Sequence, residues 1–142
     1  MEQSTFHILL VDDSDAFRMY VSRMFEQYPQ FGIVAEAKDG LQAVTVAEQL
    51  HPDLIVLDIG LPMMNGIDAA RHILNRSPGI KILFLTAYDS TEIAREALRV
   101  GAQGYVVKAY VVPELIAAVE AVLGGKSFVS RGVGVNAPET NN

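Results

Sequence analysis

The chain has 142 residues, half of them hydrophobic, enough for one domain with a substantial core. Its formal net charge of −6 argues against a nucleic-acid groove in this segment, because phosphate binding needs clustered Lys and Arg. The absence of cysteine excludes a disulfide framework and a thiolate metal site, and fits a cytoplasmic setting. Met1 to Thr5 carry neither the basic nor the apolar region of a signal peptide. No apolar run nears the ~20 residues of a membrane span.

Residues 6–11 read as a first strand, ending in Asp12-Asp13-Ser14-Asp15, whose side-chain oxygens suit them to cap a helix. Phe17, Tyr20, Val21, Met24, Phe25 and Tyr28 recur at helical spacing until Pro29. Ile33-Val34-Ala35 is a short second strand whose modest apolar bulk suits a less buried place. Asp39-Gly40 opens a second helix with Ala43, Val46, Ala47 and Leu50 on one face, ended by His51-Pro52. Leu54-Ile55-Val56-Leu57 then runs straight into Asp58, and Gly60 and Pro62 follow. An apolar run bounded this way reads as a buried strand of a parallel sheet. After the Met63-Met64-Asn65-Gly66 turn, whose methionines read as loop packing, Ile67, Ala70, Ile73 and Leu74 mark a third helix, closed near Pro78-Gly79.

Residues 80–85 form a fourth strand ending in Thr86-Ala87. A fourth helix covers roughly residues 91–100, with a weak apolar stripe of Ile93, Ala94, Ala97 and Leu98. Gly101 and Gly104 bracket the turn into Tyr105-Val106-Val107, which ends in Lys108. Pro113 starts a fifth helix, buried through Leu115, Ile116, Val119, Val122 and Leu123. Beyond Gly124-Gly125 the periodicity stops. Residues 1–125 read as the domain, and residues 126–142 as a C-terminal linker or tail.

Strands separated by helices imply parallel pairing, and ligands of open α/β sheets bind outside the carboxyl ends of the strands. Four of the five strands end there in polar residues: Asp12-Asp13, Asp58, Thr86 and Lys108. Carboxylates brought together repel, so they share protons or hold a cation. With hard oxygen donors only, that cation is Mg²⁺. A Lys and a Thr beside them can hold the oxygens of a phosphoryl group. The set suits phosphoryl transfer to a carboxylate nucleophile. His7, His51 and His72 are scattered and carry no assigned role.

These blocks resemble the receiver domains of two-component response regulators. The matching residues are Ile8-Leu9-Leu10-Val11-Asp12-Asp13, Leu57-Asp58-Ile59-Gly60-Leu61-Pro62, Met64-Asn65-Gly66, Leu85-Thr86-Ala87 and Gly104-Tyr105-Val106-Val107-Lys108. The resemblance implies a flavodoxin-like (βα)5 doubly wound α/β sandwich with a parallel five-stranded sheet of order 2-1-3-4-5. It implies Asp58 as phosphoacceptor from a sensor histidine kinase. It implies Mg²⁺ on Asp13, Asp58 and the Gly60 backbone carbonyl, with Asp12 acting through metal-bound water. Lys108 matches the phosphoryl-pairing Lys, Thr86 the hydroxyl that swings toward the phosphoryl oxygens, and Tyr105 the aromatic that follows it.

Three positions depart from the commonest pattern. Ala109 stands where many receivers carry Pro, and a cis Lys108-Ala109 bond would cost about 3 kcal/mol. Gly60 lacks the side chain that many relatives have. Tyr110-Val111-Val112 is unusually apolar, and Val111 there suits either a staple onto Ile116 or a partner surface.

The expected output is a changed surface built from the fourth helix, the fifth strand and the fifth helix rather than a turned-over product, a surface often used in the family for homodimerisation. The stretch 101–130 is most similar to receivers that precede a helix-turn-helix domain. DNA would then be bound, and transcription controlled, only through a domain not present in this chain. Two competing readings are a metal-dependent aspartyl phosphatase, which leaves Asp58 unexplained, and a pseudo-receiver, against which the intact polar set argues. The first β-α turn lacks Gly-x-Gly-x-x-Gly, which disfavours a dinucleotide site.

Overall fold

A computed structural model describes residues 6–133. The apolar runs become the strands β1 (Phe6–Val11), β2 (Phe31–Ala37), β3 (Leu54–Leu57), β4 (Lys81–Thr86), β5 (Gly104–Val107) and β6 (Phe128–Val129). The helices are α1 (Asp15–Phe25), α2 (Gly40–Leu50), α3 (Gly66–Arg76), α4 (Thr91–Arg99) and α5 (Val111–Leu123), with a 3-10 turn at Lys108–Tyr110 before the last. All the strands pair in parallel, in the order β2-β1-β3-β4-β5-β6. None of the helices among the described residues is long and apolar enough to cross a membrane.

Side chains alternate across a strand, so a sheet covered on both faces needs apolar residues at every position. Leu9, Val11, Ile55, Leu57, Ile82, Phe84, Tyr105 and Val107 pack on one face with residues of α2, α3 and α4. Ile8, Leu10, Leu54, Val56, Leu83, Leu85 and Val106 pack on the other with residues of α1 and α5. This is the doubly wound arrangement. β2 lies at an edge with its middle residues partly exposed, as its modest bulk suggested. Each of the first four helices starts on a polar cap: Ser14, Asp39, Asn65 and Ser90 accept from the amides of Phe17, Gln42, Asp68 and Ile93.

Three local expectations change. Among the described residues the sheet has six strands rather than five, because β6 adds to the β5 edge within the stretch read as a linker. A two-residue strand leaves no periodic signal. Residues 134–142 of that stretch lie outside the described residues. The fifth helix starts at Val111, two residues before Pro113, so Pro113 still stands in the first turn and Val111 is buried in the core. A buried Val111 cannot be a partner surface; Val112, 64% exposed, is the outward residue. Met63 does not pack in its loop: it is 75% exposed and has a φ of 70°. No cis peptide bond occurs among the described residues, so Lys108-Ala109 is trans.

Candidate functional site

Close backbone approach sets the loops at the carboxyl edge. A Cβ on Gly66 would lie 1.9 Å from the Asp58 carbonyl oxygen, and one on Gly40 1.9 Å from that of Met64. Glycine at both positions lets α2 and α3 start hard against the β3–α3 loop. The Gly66 amide donates to the Ile59 carbonyl at 2.8 Å, closing that loop. On β1, the Asp12 amide donates to Ala37 O at 3.1 Å, and the Asp58 amide donates to Val11 O at 3.0 Å. The two aspartate backbones are therefore held side by side by the sheet.

Their side chains converge. Asp12, Asp13 and Asp58 each offer an oxygen, all within 4.8 Å of one another. Asp12 and Asp58 are buried and Asp13 is exposed, so the cluster opens to solvent on the Asp13 side. Asp58 Oδ1 accepts from the Ile59 amide at 2.7 Å, while Oδ2 faces Lys108 Nζ at 3.2 Å. Lys108 Nζ lies closer to Asp12 Oδ2, at 2.7 Å, and 4.3 Å from the centre of the Phe17 ring. Asp12 Oδ1 accepts from the Ser14 amide at 2.8 Å.

The electrostatics follow from burial. Asp12 holds its proton to a higher pH than a free Asp, chiefly because it is desolvated; the charge of Asp58 adds to this, and Lys108 and the Ser14 amide only partly offset it. Burial alone would favour a neutral Lys108, but hydrogen bonding and charge from Asp12 and Asp58 outweigh it and raise its pKa. Lys108 is thus a fixed cation shared by two carboxylates. A largely buried set of oxygen-only donors, open to solvent at Asp13, that one ammonium does not neutralise fits a hard divalent ion such as Mg²⁺.

The structure brings Asp12, Asp13, Asp58 and Lys108 together. Thr86 is fully buried at the end of β4, where its Oγ1 accepts weakly from the Tyr88 amide at 3.5 Å. Tyr105 is also fully buried, and its hydroxyl donates to Tyr88 O at 2.8 Å. Burial, then the charges of Asp89 and Asp58, push that hydroxyl's pKa far above its ordinary value. Thr86 and Tyr105 therefore meet through the Tyr88 backbone. Gly60 is exposed at the rim, and the Tyr88 hydroxyl lies 3.0 Å from where a Gly60 Cβ would stand. Beside it a groove of about 870 Å³ runs past Asp13, Asn65, Arg71 and Glu96.

Sequence reasoning missed Arg18 and Glu114. Arg18 is 8% exposed and shares a buried helical stripe with Val21 and Phe25, a spacing that was visible in the sequence. Glu114 is 4% exposed and accepts from Ser130 and Arg131 of the segment after α5. No sequence signal marks that pairing.

The chain is similar to several known proteins. The response regulator receiver domain family matches residues 8–120. The transcriptional regulatory protein DegU of Brevibacillus brevis is 34% identical over 129 residues, which are 91% of this chain and 55% of that protein. Protein CcdB of Bacillus subtilis is 36% identical over 117 residues, 82% of this chain and 97% of that one. The crystal structure of a two-component response regulator of the LuxR family from Aurantimonas sp. SI85-9A1 has a TM-score of 0.88 at 37% identity, covering 92% of this chain and 93% of that one. The chain thus spans about half the length of DegU and nearly all of the other two.

Proposed function

The chain belongs to the response regulator receiver domain family of two-component systems, and from that premise we propose that it is a switch thrown by phosphorylation of Asp58. One observation carries the reading. Asp58 stands at the carboxyl end of β3 with one oxygen fixed by the Ile59 amide, the other facing Lys108, and the oxygens of Asp12 and Asp13 within 4.8 Å.

In the proposed reaction an Asp58 carboxylate oxygen attacks the phosphorus of a phosphohistidine on a sensor histidine kinase. The O–P bond forms as the P–N bond breaks, and the electron pair stays on the imidazole nitrogen, which then takes a proton. Lys108 pairs with the phosphoryl oxygens as a compact charge. Thr86 approaches them with its hydroxyl, and Tyr105 moves with the Tyr88 backbone that both residues contact. Asp12, Asp13, Asp58 and the Gly60 carbonyl would hold Mg²⁺, which when bound neutralises charge on the transferring group.

The reaction happens once per activation and yields a new surface, so the chain is not a turnover enzyme. We place it in the cytoplasm, with that surface, α4-β5-α5, driving homodimerisation. Transcription control would run through a DNA-binding domain outside this chain, in keeping with the similarity to the transcriptional regulatory protein DegU, of which this chain covers 55%. Incubation with acetyl phosphate and Mg²⁺ tests the core of the proposal. One phosphoryl mass should appear on the chain and be lost in Asp58→Asn. Full labelling of that variant would overturn the assignment.

A further inference from the structure

Arg18 is a costly residue where it stands. It lies in the first turn of α1, where the helix dipole disfavours a cation, and it is 8% exposed. Its fork is fully engaged. Nη1 donates to the Asp12 backbone carbonyl at 2.6 Å, Nη2 to Asp15 Oδ1 at 2.6 Å and Nε to Glu36 Oε1 at 2.8 Å. One planar group therefore ties α1, β2 and the β1–α1 loop together.

We propose that Arg18 is a positioning residue for the cation and phosphoryl site, acting through the Asp12–Asp13 peptide; this rests on the function proposed above. The carbonyl that Arg18 grips belongs to the peptide joining the two aspartates. Fixing that oxygen fixes the peptide plane, and so the direction in which Asp13 leaves the backbone. Asp12 has three further anchors: its amide donates to Ala37 O, its Oδ1 accepts from the Ser14 amide and its Oδ2 pairs with Lys108 Nζ. Among the described hydrogen bonds none holds the Asp13 side chain, so its aim depends on the backbone that Arg18 sets. Lys cannot substitute, because an ammonium lacks three donors in fixed planar directions.

Charge and positioning predict opposite signs. Arg18→Met removes a cation near an acidic cluster, so charge alone predicts tighter Mg²⁺ binding, and Arg18→Lys should then match the wild type. Positioning predicts weaker binding in both variants, by about 10–100-fold, as for other groups that orient metal ligands. The experiment is calorimetric Mg²⁺ titration of the full chain, below the onset of melting of each variant. Acetyl phosphate labelling at limiting and saturating Mg²⁺ accompanies it. Labelling of both variants should be slow at limiting Mg²⁺ and recover at saturation, since Asp58 and Lys108 are intact. Glu36→Gln, which keeps Arg18 but weakens one prong, should show a smaller loss, and Arg18→Lys, for which charge alone predicts no change, decides the matter if Arg18→Met does not fold. Equal or tighter Mg²⁺ binding in the folded variants would overturn the role of Arg18. A wild type that neither binds Mg²⁺ nor takes a phosphoryl group would instead overturn the function on which it rests.

Discussion

Glu114→Ala tests whether the segment after α5 is part of the switch. Glu114 accepts from Ser130 Oγ at 2.6 Å, from the Arg131 amide at 3.2 Å and from Arg131 Nε at 3.1 Å. From there the chain reaches the other elements of the proposed output face. The Ser130 amide donates to Tyr105 O at 2.8 Å, and Thr91 Oγ1 of α4 donates to Val133 O at 3.3 Å. Val133 is buried in the cluster that holds Tyr105, Ala94 and Ala97. The segment is therefore a strap from α5 across β5 to α4. Alanine at 114 leaves the buried Ser130 hydroxyl without its acceptor, at about 1–3 kcal/mol. The Arg131 side chain is 69% exposed, so its ion pair adds about 1 kcal/mol at most. Relief from burying a carboxylate offsets part of this. We expect a net loss of about 1–3 kcal/mol for Glu114→Ala, and less for Glu114→Gln, which keeps an acceptor. Against a typical domain stability of about 5–15 kcal/mol, the larger loss is easily seen in urea unfolding. Native-state amide exchange should show Ser130 losing protection before the β3 amides do. A loss under about 0.5 kcal/mol, with Ser130 protection unchanged, would refute the strap.

The other expectations concern the acidic cluster and the output. Mg²⁺ should raise the melting temperature by binding the native state only, worth about 2.7 kcal/mol at a hundred times its Kd. Asp13→Asn should remove that gain while stabilising the metal-free protein, and a melting temperature blind to both would place the cation elsewhere. Asp12 has its carboxyl pKa raised in the folded state, chiefly by burial, so the group favours folding below its ordinary 3.8, and this support is lost as pH rises through the folded value. Metal-free Asp12→Asn should accordingly gain on the wild type as pH rises toward neutrality and lose that advantage near 3.8; a pH-independent difference in urea midpoint would contradict this. Lys108→Ala should fold and bind Mg²⁺ yet fail to change its NMR spectrum fully with beryllofluoride, an acyl-phosphate mimic. Sedimentation should show more dimer with the mimic and less after Val112→Glu; equal mass in both states would remove dimerisation as the output.

What the sequence made legible is the chemistry at the ends of apolar runs. Leu54 to Leu57 leading into Asp58 marks a buried strand and its polar end together, because burial demands the run and the solvent-facing carboxyl edge ends it. The same logic gave Asp12, Asp13, Thr86 and Lys108. Features that depend on contact between distant segments stayed hidden. Glu114 in a first helical turn looks like an acid placed for the helix dipole, and only Ser130, sixteen residues on, explains its burial. β6 is too short to show a period. Tyr110-Val111-Val112 left Val111 open between a staple onto Ile116 and a partner surface, because Pro113 suggested the helix start. The helix begins two residues earlier, and that rotation puts Val111 in the core and Val112 in solvent.

The charge arrangement links the cation to the switch. Three carboxylates and one ammonium leave the cluster with an uncompensated negative charge, and phosphorylation of Asp58 replaces one carboxylate charge with roughly two, a net gain of about one. Lys108 is already engaged, more closely with Asp12 than with Asp58. To reach a phosphoryl oxygen on Asp58 it must loosen its hold on Asp12, which is 2% exposed. A buried carboxylate left alone is expensive, so Asp12 releases Lys108 only when its charge has another partner or its proton returns. In the proposed reaction a divalent ion is that partner. Cation affinity and the freedom of Lys108 are then thermodynamically linked, each favouring the other through Asp12. It follows that Lys108→Ala, which removes the competing cation, should bind Mg²⁺ at least as tightly as the wild type even though it cannot complete the switch.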